Sequence, residues 1–263
     1  MKNLISTLFI FTLMASTLFA QSDEVPNKQM SLVTKHTATW CPICGFDAWD
    51  TQKYFMDNLD GKDAFVLTAH ISGSSKLYSD AARELLKNFD GVFYQPEFFF
   101  NTEKISGGDT QAQMVDSVSQ AAMQTPLAQA LAEATYNPET DTFSVNTTVE
   151  FFSNTEISGD YRVSVFLVEK EVIEEQASRG DNEMHQNVLR TSLIEDFYSP
   201  AMASGTIEAG TRASHQVAVK WDERYDMENI RVLVILWERN GNNFSFVNVN
   251  ATETIEMEEE TTT

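Results

Sequence analysis

The chain has two cysteines, and they stand together in Trp40-Cys41-Pro42-Ile43-Cys44. Two thiols at this spacing can form a two-electron redox couple, a short structural disulfide, or half of a zinc site. The apolar run Met30 to Ala38 before the motif reads as a strand, and Pro42 to Leu59 after it reads as a helix. A cysteine at the start of a helix faces unpaired backbone N–H groups and the positive end of the helix dipole, which lower its pKa. On that reading Cys41 is the nucleophile, and Cys44, one turn further in, is the thiol that resolves a mixed disulfide. Pro42 costs little in a first helical turn. A staple across so short a loop would restrict little of the unfolded chain. A zinc ion needs about two further ligands, which His36 and His70 would have to supply. No metal site and no cofactor is expected.

The elements that must position this pair are legible from Gln29 to Gln124. Ala64 to Ile71 is a nearly continuous apolar run, as in a strand buried on both faces. Ser79 to Phe89 carries apolar residues at helical spacing. Glu97 to Phe100 and Lys104 to Ser106 flank a turn at Asn101 and Thr102, and a helix capped by Asp109 or Thr110 runs to Met123. The order is β-α-β-α-β-β-α. With Trp-Cys-x-x-Cys after the first strand and Pro96 directly before Glu97 to Phe100, this stretch resembles the thioredoxin superfamily over about a hundred residues, without that fold's extra N-terminal strand and helix. The resemblance implies a cis Gln95-Pro96 bond, with Pro96 shaping a substrate groove lined by Trp40, Pro42, Ile43 and Gln95; apart from it, Pro96 reads as an ordinary trans proline at a strand start. His70 ends a strand on the edge that would carry the cysteines, where it either hydrogen-bonds near Cys41 or shuttles a proton, or is a partly buried strand-end histidine with a backbone partner. His36 reads as structural, and no buried acid that would assist proton transfer is evident.

After Thr125-Pro126 the periodicity changes to two, with Phe143, Val145, Thr147 and Val149 and then Tyr161, Val163, Val165 and Leu167. Further strand-like runs occupy Ser214 to Trp221, Ile230 to Trp237 and Phe244 to Val249, while Glu171 to Tyr198 reads as an irregular, partly helical insertion. Met184 to Arg190 contains His185 but reads as a packing segment. The expected fold class is therefore α/β plus all-β: a thioredoxin-like domain over 29–124, an antiparallel β-sandwich over 125–256, and an acidic disordered tail over 257–263. Neither a nucleophile elbow nor a glycine-rich phosphate loop is visible.

Acidic side chains outnumber basic ones 39 to 18, for a net charge of −21. That balance excludes nucleic acid as a partner and disfavours an anionic membrane surface. Residues 1–20 combine Lys2, an apolar core and small residues up to Ala20, the pattern of a secretory signal peptide, followed by a linker over 21–28. After its removal no transmembrane segment is expected. The sequence gives no signal for oligomeric state.

The chain as a whole resembles the 28-kDa outer-membrane-protein family of Gram-negative envelopes. The resemblance is carried by Thr37-Ala38-Thr39-Trp40-Cys41, His70, the Pro96 strand, His185 with Val188-Leu189-Arg190, and Val247-Asn248-Val249-Asn250-Ala251. Ala38, where glycine is usual, and Pro42-Ile43 depart from the family pattern. It implies a location in the periplasm or at the outer membrane or cell surface. The functional expectation is an exported thiol-disulfide oxidoreductase acting on a protein thiol or disulfide of the envelope. The alternative is a surface or periplasmic binding or adhesion module in which Cys41 and Cys44 form a structural disulfide. Mass spectrometry of envelope-derived protein should find a mature N-terminus at Gln21; retention of residues 1–20 would remove the export argument.

Overall fold

The computed structural model describes residues 24–91, 94–105 and 108–258. The expected signal peptide, and all but the first two residues of the expected tail, lie outside the described residues. The first half contributes β1 (Ser31–Thr37), α1 (Asp47–Asn58), β2 (Ala64–His70), α2 (Asp80–Leu86), β3 (Glu97–Phe100), β4 (Glu103–Lys104) and α3 (Gln111–Ala122). The second half contributes β5 (Ala128–Asn137), β6 (Thr142–Phe151), β7 (Ile157–Gln176), β8 (Gly180–Ser192), β9 (Ala203–Ile207), β10 (Arg212–Lys220), β11 (Ile230–Asn240), β12 (Asn243–Thr252) and β13 (Ile255–Met257).

Local chemistry sets the helix ends. Ser79 caps α2 by accepting the Ala82 N–H, and Thr110, rather than Asp109, caps α3 through a reciprocal capping box with Gln113. On α1, Ala48, Gln52 and Phe55 fall on one buried face, the spacing that lets a helix lie on a sheet.

The two halves do not form an α/β head followed by an antiparallel sandwich. The described residues are 48% strand and 16% helix, and strands from both halves enter one mixed sheet in the order β12-β11-β7-β8-β2-β1-β3-β4, with β9 added against β7. β1 and β2 pair in parallel, and β2 continues in parallel onto β8. The second sheet, β10-β6-β5-β13, is also mixed, because β13 joins β5 in parallel. The cause of the departure is the segment expected to be an irregular insertion. Instead of a partial helix, it extends into the long antiparallel pair of β7 and β8, which reaches across to the edge of β2. Short-range periodicity cannot reveal such a pairing partner.

Burial follows this topology. In β2, Phe65, Leu67 and Ala69 enter a core with α2 that also holds Phe166, Leu189, Ile235 and Trp237 from the second half. Ala64 and Val66 face the opposite way, into a core with Phe55 and Val118 of α1 and α3. Val163, Val165 and Leu167 of β7 pack with Val232, Val234 and Leu236 of β11 against β5 and β6. Strands β7 and β11 are therefore buried on both faces, which explains their unbroken apolar runs. The core around α2 crosses the expected boundary between residues 124 and 125.

Asn187 closes the β2–β8 seam. It is buried with a positive φ of 49°, and its amide donates to the Val66 carbonyl at 2.8 Å and to Asp60 Oδ1 at 3.2 Å. Replacing Asn187 by Leu should remove the side-chain donor to the Val66 carbonyl, leave Asp60 Oδ1 with the Val66 N–H, and strain the backbone, costing about 2–4 kcal/mol. Urea unfolding of the full chain is the check, and both halves should unfold in one transition.

Candidate functional site

β1 ends at Thr37, and the chain turns through Ala38 and Thr39 so that the Cys41 N–H donates to the Ala38 carbonyl. Cys41 and Cys44 are joined by a disulfide with their Cα atoms 5.3 Å apart. Cys41 retains 4% exposure and Cys44 none. The Gln95-Pro96 peptide is cis, and the Gln95 carbonyl oxygen lies 3.8 Å from Cys41 Sγ. The structure thus brings together Cys41, Cys44, Gln95 and Pro96. Around them Trp40, Pro42 and Ile43 are exposed, with Trp40 Nε1 donating to Ser72 Oγ at 3.2 Å.

The helix expected from Pro42 to Leu59 is broken. A single 3₁₀ turn covers Ile43–Gly45, Phe46 leaves helical geometry at φ −98° and ψ −121°, and α1 starts only at Asp47. The Trp49 N–H consequently bonds to the Phe46 carbonyl, while the Gly45 carbonyl is taken by Arg179 Nη1 at 3.2 Å. Cys41 therefore stands before one tight turn and not at the head of a long dipole. Its local donor is the Cys44 N–H, 3.3 Å from Cys41 Sγ.

His70 is fully buried, and no hydrogen bond joins it to either cysteine among the described residues. Its Nδ1 is 2.9 Å from Ser75 Oγ, which accepts the Thr39 N–H at 3.3 Å. His70 thus touches the cysteine loop at second hand, by supporting Thr39. His36 is buried beside Glu97, with Nδ1 at 3.6 Å from the carboxylate, and Lys104 pairs with the same carboxylate. This group lies directly behind Pro96, since His36 and Glu97 are cross-strand partners.

Beneath the loop lies a buried polar cluster that the sequence reading missed. Lys35 is 1% exposed, donates to Gln52 Oε1 at 2.9 Å and sits 5.1 Å from the centre of the Trp49 ring. Gln52 passes the interaction to Thr68 Oγ1 at 2.6 Å, and Thr68 donates to the Gln186 carbonyl at 2.6 Å. His185 packs edge-on against Trp49 and His70. Burial, aided by the Arg179 charge, pushes the Lys35 ammonium down to about 7. Burial and then the Lys35 charge bring His185 to about 4, while burial and then the His185 charge hold His70 well below the usual imidazole range. One signal was available: Lys35 is a charge in the middle of a strand that is otherwise built for burial. Gln176, Ala177 and Arg179, which also reach the loop, lie more than a hundred residues away and gave none.

No family model matches the chain, and no curated protein matches it. Solved structures do. HBP35 of Porphyromonas gingivalis aligns with a TM-score of 0.71 at 18% identity, covering 91% of this chain and 79% of that one. A domain of the outer membrane lipoprotein Omp28 from Porphyromonas gingivalis covers 51% of this chain and 92% of its own, with a TM-score of 0.31 and 13% identity. At 18% identity the first likeness shows a shared fold alone, and the second is too weak to carry an argument.

The cluster has a pH signature. A lysine held below its free value of 10.5 penalises the folded state while it is protonated, so its full cost is present below about pH 7 and is relieved as pH rises toward 10.5. Urea unfolding should show stability rising by about 1–2 kcal/mol between pH 7 and 9. Lys35→Met should flatten that rise and stabilise the protein at pH 7 by about 1–3 kcal/mol, because it removes a buried charge that has no counter-ion in contact among the described residues.

Proposed function

We propose that this chain is an exported thiol-disulfide oxidoreductase of the cell envelope, working on protein thiols or disulfides through Cys41 and Cys44. The observation that carries the reading is the closed Cys41–Cys44 pair facing the cis Gln95-Pro96 peptide on a rim of exposed apolar side chains. Trp40, Ile43, Phe46 and Tyr94 are all large, apolar and exposed there or in the adjoining loop. Such a rim suits a polypeptide substrate better than a small polar thiol. The export part of the proposal rests on residues 1–20, and the link to the 28-kDa outer-membrane-protein family rests on the sequence resemblance.

The chemistry follows from exposure. In the oxidising direction a substrate thiolate attacks Cys41 Sγ, the more accessible sulfur. The Cys41–Cys44 bond breaks, its electron pair leaves on Cys44 Sγ, and that sulfur takes up a proton. A second substrate thiolate then attacks the substrate sulfur of the mixed disulfide, and Cys41 departs with its electron pair. Two electrons have moved from the substrate dithiol to the cysteine pair, and the reductive direction is the reverse. The Gln95 carbonyl, close to Cys41 Sγ, marks where the backbone of a bound segment would lie alongside.

A second reading, a binding or adhesion module with a resting disulfide, draws on the deep burial of both sulfurs. Trapping distinguishes the two. Cys44→Ser should accumulate mixed disulfides with envelope proteins through Cys41, because the resolving thiol is gone, and Cys41→Ser should accumulate at least about tenfold fewer. No trapped species with either variant, together with no turnover in an insulin-reduction assay, would favour the binding module.

A further inference from the structure

The cysteine loop is held from outside its own half of the chain. At the tip of the β7–β8 hairpin the Ala177 N–H donates to the Thr39 carbonyl at 2.8 Å. The adjacent Gln176 is buried, and its Nε2 donates to the Cys41 carbonyl at 2.9 Å, with the Ala38 carbonyl at 3.4 Å. Arg179 takes the Gly45 carbonyl and lies over the Trp49 ring at 5.1 Å. The approach is close enough to dictate a residue type: a Cβ on Gly45 would fall 2.2 Å from the Ala177 carbonyl oxygen. Lys76, in the loop after β2, pairs with Glu174 at 3.1 Å and Glu175 at 3.4 Å and fixes the hairpin from its other side. Every backbone carbonyl at residues 38, 39, 41 and 45 is thereby within reach of a hairpin donor.

From this we infer that the hairpin tip is part of the redox centre, with Gln176 and Arg179 as positioning residues that hold Cys41 and Cys44 at the spacing from which the disulfide closes. The physical reason is effective concentration. Two thiols in a loop of fixed backbone meet far more often than two in a loop free to sample other conformations, so the closed form is favoured in proportion. Gln176 has one further feature of a residue kept for this purpose. Its Oε1 is buried without a partner among the described residues, so its burial is justified by the donor side, which holds Cys41. The biological use of this clamp rests on the proposed redox function. The quantity it controls, the closure equilibrium of the cysteine pair, is a property of the chain with or without a substrate.

The test is the equilibrium between the reduced and oxidised full-length chain in glutathione buffers, read by alkylation and mass, for wild type, Gln176→Ala, Gln176→Glu and Arg179→Ala. Gln176→Glu keeps the size of the side chain and removes the donor. Both Gln176 variants should lower the closure constant about tenfold, which raises the two-electron potential by about 30 mV, and Arg179→Ala should lower it about threefold. Thermal melts of each variant, oxidised and reduced, separate positioning from bulk stability: the oxidised form should lose more than the reduced form. Should Gln176→Ala fail to fold, Gln176→Glu and the half-exposed Arg179→Ala provide the same comparison. Closure constants within twofold of wild type in the folded variants, or equal losses in both redox forms, would overturn the inference. A shifted constant in a chain that shows no substrate turnover would uphold the clamp and remove the oxidoreductase reading alone.

Discussion

The structure depends on the seam between β2 and β8. Only one residue pair, Thr68 with Val188, continues the backbone ladder there, so side chains complete the junction. Thr68 donates to the Gln186 carbonyl, Gln52 donates to Thr68, and Asn187 reaches the Val66 carbonyl. Asp60 accepts from both the Val66 N–H and Asn187, and its second oxygen pairs with Arg231 Nη1 at 2.8 Å. The bonds to the Gln186 carbonyl, Asn187 and Arg231 would be lost if the halves parted, and buried polar groups are costly to leave unpaired. The seam turns two sequence-distant sheets into one and places the β8 backbone within reach of α1.

Once β8 is fixed to β2, the hairpin it shares with β7 has a set direction, and its tip arrives over the cysteine loop. The break in the expected helix at Phe46 has the same origin. Gly45 is pressed against Ala177 and its carbonyl is bound by Arg179, so the helical ladder cannot run from Ile43 into α1. The turn that carries Cys44 is a product of tertiary contact as much as of local propensity.

Under the loop, Lys35 is a charge buried without a counter-ion in contact among the described residues, held by one amide oxygen and an aromatic face. Its cost is carried by the surrounding core. A stability optimum would replace it, and such departures collect where a fold serves another purpose. The polar line Lys35, Gln52, Thr68 joins β1, α1 and β2 beneath the cysteine loop, and the same line ends on the β8 backbone at the seam.

By itself the sequence determined the cysteine pair, the order of elements through α3, the proline at the start of β3 and the apolar strands of the second half. Each of these is written in residue type or in a period of two or about four, which a local stretch of chain expresses on its own. The assignment of two separate architectures failed because periodicity says which face of a strand is buried and not what covers it. The run 171–198 is polar and irregular in composition because its sides alternate between core, solvent and the cysteine loop, so it read as an insertion although it is the connecting hairpin. The partners of Gln176, Arg179 and Asn187 lie more than a hundred residues away. Only the tertiary structure decided that the cysteine pair is held from both halves of the chain, because a side-chain amide has no pattern until its acceptor stands in front of it.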